Sequence, residues 1–188
     1  MSTWMVVEDE PDIYELLLAM FEMWGIEGVA FVDGEEAISW IDEADKGANG
    51  EHPELALLDI RLPGNVKGPD VGARIRQSPV LNGMAIVMIT AYKLSTEEEQ
   101  EVMQKAGADR LLNKPLPNFG ELKKLLEEAI AERRTRTQAA ASVSNAPPAA
   151  DATPPASTST NANTNTSATS TKKNTNANAA AEPVHKEK

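Results

Sequence analysis

The chain has 188 residues, no cysteine and a formal net charge of −11, which excludes disulfide frameworks, thiolate zinc sites and cysteine nucleophiles. Most of the charge lies in residues 1–134, which carry 26 acidic against 13 basic residues. Because an acidic surface is a poor match for nucleic-acid phosphates and anionic lipids, we expect neither nucleic acid nor a membrane as a direct partner.

Five short aliphatic runs alternate with amphipathic stretches of helical period along residues 1–134. The predicted strands are 4–7, 28–32, 55–58, 85–89 and the weaker 110–112. The predicted helices are 11–24, one that begins near Asp33, one between Pro69 and Pro79, one between Ser95 and Gly107, and 118–134. In the first helix the residues at helical spacing are Ile13, Leu16, Leu17, Met20 and either Met23 or Trp24, and Gly25 should end it. Ser95 and Glu98 offer a capping box at the start of the fourth helix. This alternation predicts an α/β fold: a flavodoxin-like, doubly wound sheet of five parallel strands in the order 2-1-3-4-5, covered by five helices.

The remaining residues, 135–188, are almost entirely Ala, Ser, Thr, Asn and Pro, with no aromatic residue. Such a segment cannot bury enough apolar surface to offset the roughly 1–2 kcal/mol of backbone entropy lost per ordered residue. We therefore predict a folded domain at 1–134 and a disordered low-complexity tail at 135–188. The sequence has no signal-peptide pattern and no run of eighteen apolar residues, so we expect a cytoplasmic protein.

Polar side chains follow four of the predicted strands at the point where each strand ends. They are Glu8-Asp9-Glu10, Asp59, Thr90 and Asn113-Lys114-Pro115. In an open parallel sheet, ligands bind beyond these carboxyl ends. Taken singly, such residues are most often solvated turn residues, helix caps or surface lysines. Their joint occurrence at one edge of the sheet predicts a functional site.

Carboxylates gathered at one edge repel one another, and a divalent cation relieves that repulsion. Mg²⁺ binds a few carboxylate or carbonyl oxygens, keeps several waters and accepts a phosphoryl oxygen as a further ligand. Asp59 would then be the nucleophile, while Lys114 and Thr90 would contact other phosphoryl oxygens. The pattern therefore predicts Mg²⁺ as the cofactor and an aspartyl phosphate as the product.

The sequence closely resembles the response-regulator receiver family of two-component systems over about residues 3–134. The matching segments are Val6-Val7-Glu8-Asp9-Glu10, Leu58-Asp59-Ile60-Arg61-Leu62-Pro63-Gly64, Ile89-Thr90-Ala91, Ala106-Gly107-Ala108-Asp109 and Lys114-Pro115. By this resemblance, Asp59 is the phospho-acceptor and a sensor histidine kinase or phosphotransfer protein is the donor. The protein would act as a switch that contacts a downstream protein, not as an enzyme that turns over a substrate.

The resemblance also implies a set of metal ligands. Asp9 would bind Mg²⁺ directly and Glu8 would act mostly through water. The carboxylate of Asp59 and the backbone carbonyl of Arg61 would complete the protein ligands.

Further roles follow from the same resemblance. Thr90 would be the switch hydroxyl, and Lys114 would be the phosphate-pairing lysine, aimed at the site by a cis peptide bond to Pro115. Arg61 and Tyr92 occupy positions that flank the phosphoryl group and influence its lifetime. Where the family commonly has a switch Tyr or Phe in strand five, this chain has Leu111, so the signal would travel differently or be weaker.

Two other functions fit parts of the pattern. The first is a receiver-fold binding module with lost or weak switching, suggested by Leu111, although all the chemical residues are present. The second is a phosphatase with an aspartyl nucleophile, resembling haloacid-dehalogenase-like enzymes. Those enzymes have a second Asp two residues after the nucleophile as general acid, and here that position is Arg61.

Overall fold

The computed structural model describes residues 2–47 and 52–144. The strands in this part of the chain are β1 (Thr3–Val7), β2 (Glu27–Phe31), β3 (Leu55–Asp59), β4 (Ala85–Thr90) and β5 (Arg110–Asn113). The helices are α1 (Pro11–Met23), α2 (Gly34–Asp45), α3 (Gly68–Gln77), α4 (Thr96–Ala106) and α5 (Phe119–Ser144). The predicted alternation of strands and helices is confirmed.

The strands form one parallel sheet in the order β2-β1-β3-β4-β5, as predicted. Every residue of β1, β3 and β4 is buried. A parallel sheet covered on both faces requires this, and it explains why these strands are continuous apolar runs without polar alternation. The edge strands are less buried, since β2 begins with two exposed residues and most of β5 is half-buried.

Alternate residues of the central strands contribute to two hydrophobic cores, one on each face of the sheet. The core closed by α2, α3 and α4 contains Met5, Leu58 and Met88. The core closed by α1 and α5 contains Trp4 and Leu57. Burial of each large apolar side chain contributes roughly 1.5–3 kcal/mol, so the two cores hold the strand ends in fixed positions.

Local signals set several helix ends. Ser95 and Glu98 form a capping box at the start of α4: the Ser95 hydroxyl accepts the Glu98 N–H at 3.3 Å, and the Glu98 carboxylate accepts the Ser95 N–H at 2.8 Å. Gly25 follows α1 with a φ of 72°, in the left-handed region that glycine adopts without steric cost. Both features were predicted from the sequence.

The buried face of α1 is narrower than predicted. Leu17 and Phe21 are fully buried, whereas Leu16, which was expected on the inner face, is 49% exposed. Of the two alternatives Met23 and Trp24, Trp24 packs against the core and Met23 is exposed. The inner face of α1 is centred on Leu17 and Phe21, which are four residues apart and pack against the sheet. The prediction of a core position for Leu16 was therefore wrong.

The last helix is longer than predicted. It continues to Ser144 rather than ending at Arg134, so the expected disorder does not hold for residues 135–144. Residues 134–140 are exposed, which means that burial does not stabilise this part. A helix that is already anchored needs no new nucleus, and residues such as Ala, Gln and Arg extend it readily. Arg136 also forms an ion pair with Asp109 at 2.9 Å.

The rest of the predicted tail, residues 145–188, lies outside the described residues. Its disorder, and the division of the chain that rests on it, stay predictions. Within residues 2–47 and 52–144, no helix is both long and apolar enough to cross a membrane.

Candidate functional site

Four of the predicted site residues lie together at the carboxyl edge of the sheet. Asp59 and Thr90 are the last residues of β3 and β4. Glu8 directly follows β1, and Lys114 directly follows β5. Glu8, Asp59 and Thr90 are 0%, 5% and 2% exposed. The parallel sheet thus gathers residues from distant parts of the sequence into one buried cluster.

The ammonium group of Lys114 is the centre of this cluster. Its Nζ lies 2.9 Å from Glu8 Oε2, 3.1 Å from Asp59 Oδ1 and 2.7 Å from Glu10 Oε1. The peptide bond between Lys114 and Pro115 is cis, as the resemblance implied. One cation therefore faces three carboxylates.

Burial and the excess of carboxylates act on these groups in opposite directions. Burial lowers the pKa of Lys114, but hydrogen bonds to Glu10, Glu8 and Asp59 outweigh burial and raise that pKa above its ordinary value. Burial raises the pKa of Glu8, and the hydrogen bonds from Lys114 and the Glu10 N–H oppose it only in part. The cluster holds more negative charge than one lysine neutralises.

The carboxylate oxygens at this edge fit a magnesium ion whose coordination shell is completed by other ligands. Lys114 donates its hydrogen bond to Oε1 of Glu8. The buried Oε2 of Glu8 lies in ion-pair contact with the same ammonium group but accepts no hydrogen bond. Asp9 is exposed beside it. Among the described residues, no group of three or more acidic, His or Cys side chains is arranged to hold a metal by itself. A magnesium ion here would depend on backbone carbonyls and waters for its remaining ligands, as this ion commonly does.

Thr90 has a hydrogen atom available for a ligand. Its hydroxyl oxygen accepts the Tyr92 N–H at 3.1 Å, and a hydroxyl that accepts one hydrogen bond can still donate another. The Thr90 carbonyl accepts the Lys114 N–H at 2.7 Å. This bond joins the ends of β4 and β5.

Arg61 and Tyr92 lie on the outer rim of the site. The Arg61 N–H donates to Asp59 Oδ2 at 2.6 Å, which fixes that carboxylate. The Arg61 guanidinium carbon lies 3.7 Å from the centroid of the Tyr92 ring, within the range of a cation–π contact. Both side chains are exposed. Their contact therefore joins the segment that follows β3 to the segment that follows β4, at the surface of the protein.

Glu10, Gly68 and Glu35 have structural roles that were not predicted from the sequence. The sequence predicts that Glu10 lies at the end of the first strand, but it gives no sign that Glu10 contacts Lys114. A Cβ at Gly68 would lie 1.9 Å from the Asp59 backbone oxygen, so only glycine permits this approach. Glu35 accepts the Asn65 N–H at 2.8 Å and holds the β3–α3 loop. These contacts join distant segments, and a glycine before a proline was the only local signal.

Comparisons with known proteins bear on the family and the fold of the chain. Residues 4–127 match the family described as "Response regulator receiver domain". The polar-differentiation response regulator DivK of Brucella ovis is 29% identical over 117 residues, which cover 61% of this chain and 87% of DivK. The alkaline phosphatase synthesis transcriptional regulatory protein PhoP of Bacillus subtilis is 35% identical over 112 residues, 59% of this chain and 41% of PhoP. A receiver domain of a Pseudomonas aeruginosa sensor histidine kinase, with a magnesium ion in its active-site cleft, has a TM-score of 0.57 at 25% identity and covers 69% of this chain and 98% of that domain.

Proposed function

The chain belongs to the response regulator receiver domain family, and on that basis we propose that it is a phosphorelay response regulator whose phospho-acceptor is Asp59. The position of Asp59 carries this proposal. Its carboxylate is buried at the carboxyl end of β3, with Oδ1 3.1 Å from Lys114 Nζ. The Thr90 hydroxyl stands at the end of the neighbouring strand.

Asp59 acts as the nucleophile toward a phosphohistidine of a sensor histidine kinase or phosphotransfer protein. A carboxylate oxygen of Asp59 forms a bond to phosphorus while the bond from phosphorus to the imidazole nitrogen breaks. The imidazole nitrogen keeps the electron pair and takes up a proton. Hydrolysis of the acyl phosphate by water later restores the carboxylate.

Lys114 and Thr90 stabilise the transferred group. The Lys114 ammonium, already in contact with Asp59, pairs with one phosphoryl oxygen. The free hydroxyl hydrogen of Thr90 bonds to another. A shift of Thr90 toward the phosphoryl group weakens its present bond to the Tyr92 N–H, which passes the change to the segment that leads into α4.

Glu8, Asp9, Asp59 and the backbone carbonyl of Arg61 would hold Mg²⁺. A bound magnesium ion would neutralise charge on the incoming phosphoryl group. The buried Oε2 of Glu8, which forms no hydrogen bond, and the three carboxylates around Lys114 support this assignment.

Output is by contact with a downstream protein. Phosphorylation changes the surface around α4 and β5, and a protein that binds one form more tightly than the other receives the signal. Residues 1–134 are strongly acidic, which favours a protein over nucleic acid as the partner.

The phosphatase alternative is disfavoured by Arg61. Its guanidinium lies against the Tyr92 ring, and a guanidinium does not replace the carboxylic acid that protonates the leaving group in haloacid-dehalogenase-like enzymes. Lasting phosphorylation of Asp59, without turnover of phosphate esters, is the expected behaviour.

The test is phosphorylation of the purified full-length chain with acetyl phosphate and Mg²⁺. We expect the intact mass to show one phosphoryl group per chain, and hydroxylamine to remove it because it attacks acyl phosphates. Asp59→Asn should carry none, and Asp9→Ala should carry much less because it binds the metal more weakly. The control Asp12→Asn changes an exposed acid of α1 and should label as the wild type does. Wild-type labelling of Asp59→Asn would refute the assignment.

A further inference from the structure

A groove of about 460 Å³ lies between the β3–α3 loop and α4, beside the candidate site. Its apolar lining comes from Ile60, Pro69 and Val102. Its basic lining comes from Arg61, Lys67 and Lys105. A groove of this size and mostly apolar character with a few charged groups is typical of binding sites.

The positive charge of this groove is only partly neutralised. Lys67 donates to two backbone carbonyl oxygens of the β3–α3 loop, at 2.6 and 2.8 Å. Arg61 lies against an aromatic ring at 3.7 Å. Of the three cations, only Lys105 has an ion pair with a described carboxylate, that of Asp70 at 2.6 Å. Three basic side chains and one acidic side chain, that of Glu101, line the groove. The lining therefore has an excess of basic groups on a strongly acidic domain.

We propose that this groove binds a segment of a partner protein in which bulky apolar residues are flanked on both sides by Asp or Glu. The apolar residues would cover the lining between the loop and the helix. Acidic residues on both sides are required because Arg61 and Lys67 stand on the loop while Lys105 stands on α4. A small organic acid with one charged group would leave the cations of one wall unpaired.

Glu101 sets the position of such a segment. It is exposed on α4, one helical turn before Lys105, and lines the same groove. Its carboxylate repels an acidic residue at that end and favours placement toward Lys105. Because Ile60 and Arg61 directly follow Asp59, the bound segment would lie next to the phosphorylation site without occupying it.

The test is a titration of the unphosphorylated full-length chain, labelled with ¹⁵N, with the blocked peptide acetyl-Glu-Asp-Leu-Phe-Asp-Glu-amide. We expect the largest amide shifts at Ile60, Val102 and Lys105. Lys105→Glu should weaken binding about fivefold, and Glu101→Lys should strengthen it by a similar factor, as expected for charges at an interface. Lys105→Gln, which does not set a new carboxylate against Asp70, should weaken binding by a smaller factor.

The matched controls are Lys124→Glu and Glu127→Lys, which make the same charge changes on exposed positions of α5. They should leave the affinity within about twofold. Equal effects of these controls, or shifts confined to α1 or α5, would overturn the proposal. So would equal binding of a peptide with Lys in place of its acids, or binding of naphthalene-2-sulfonate where the peptide fails. No phosphoryl donor is present, so the outcome is independent of Asp59 phosphorylation.

Discussion

At the scale of single residues, the candidate site is governed by an imbalance of charge. Lys114 contacts the carboxylates of Glu8, Glu10 and Asp59, and both Glu8 and Asp59 are buried. Charges removed from water are less screened, so their repulsion is stronger than on the surface. Loss of one carboxylate, or gain of a cation, should therefore stabilise the fold.

We expect Asp59→Asn to be more stable than the wild type when magnesium is chelated. The substitution removes the repulsion between Asp59 and Glu8 that helps to raise the pKa of Glu8. The expected gain is about 1 kcal/mol, or a few degrees in Tm. Magnesium should raise the Tm of the wild type and have little effect on the variant. A lower Tm of the variant without metal, in scanning calorimetry, would mean that the ion pair with Lys114 outweighs the repulsion.

The contact between Arg61 and Tyr92 should lengthen the lifetime of the phosphate, because it restricts the approach of water. We expect the double variant Arg61→Ala, Tyr92→Ala to lose its phosphate at least about threefold faster, in line with the strength of a cation–π contact. The decay is followed by intact mass after removal of the donor. The single variants should each account for most of the effect, since either one breaks the contact. Equal or slower decay in the double variant would contradict this role.

Strand-end position made the main site residues predictable. Asp59, Thr90 and Lys114 were placed at one edge because the order of strands follows from their alternation with helices. The approach of Gly68 to the Asp59 carbonyl was not predictable, because it depends on how the loop folds back. The exposed position of Asp9 beside a buried Glu8 also required the structure.

At the scale of elements, the junction of β4 and β5 decides how phosphorylation is read. The register pairs Met88 with Leu111 and Thr90 with Asn113. Leu111 is partly buried against the core closed by α2, α3 and α4. Its aliphatic side chain offers neither a ring nor a hydroxyl to the space that a moving Thr90 would vacate.

Phosphorylation should therefore shift the population of the α4–β5–α5 surface less than it would with an aromatic residue at position 111. A tenfold change in population requires about 1.4 kcal/mol of differential interaction. Leu111→Tyr should enlarge the shift. Amide chemical shifts of both proteins, with and without beryllofluoride in place of the phosphoryl group, measure it. A complete shift in the wild type that Leu111→Tyr leaves unchanged would show that switching does not depend on this position.

Elements were predictable where the sequence carries a local signal. The Ser95–Glu98 capping box and Gly25 marked helix ends correctly. The end of α5 was not predictable from apolar pattern, because residues 135–144 continue the helix without a buried face. Composition excluded core packing there, but it did not exclude a helix.

At the scale of the whole molecule, stability resides in the two cores on either side of the sheet. The exposed end of α5 adds mainly the ion pair of Arg136 with Asp109. Asp109 keeps two other ion-pair partners, Arg76 at 3.0 Å and Arg133 at 3.9 Å. The part of α5 beyond the core should therefore contribute little to the free energy of unfolding.

Truncation separates these contributions. A chain that ends at Ser144 should have the urea midpoint and phosphorylation rate of the full chain, because the segment 145–188 lacks the apolar residues needed to pack. A chain that ends at Arg134 should lose at most about 1 kcal/mol, because the Arg136 side chain is exposed and Asp109 keeps its other partners. A large loss of stability on removal of 145–188 would show that this segment packs on the domain.

The most direct test of Asp59 as the phospho-acceptor is to locate the acyl phosphate in the chain. Borohydride reduces an aspartyl phosphate to homoserine, so the phosphorylated full chain can be reduced, digested and analysed by tandem mass spectrometry. We predict homoserine at position 59 only, dependent on magnesium and absent from Asp59→Asn. Homoserine at position 9 or at the position of another acidic residue, with an unmodified Asp59, would contradict the assignment of Asp59 as the phospho-acceptor.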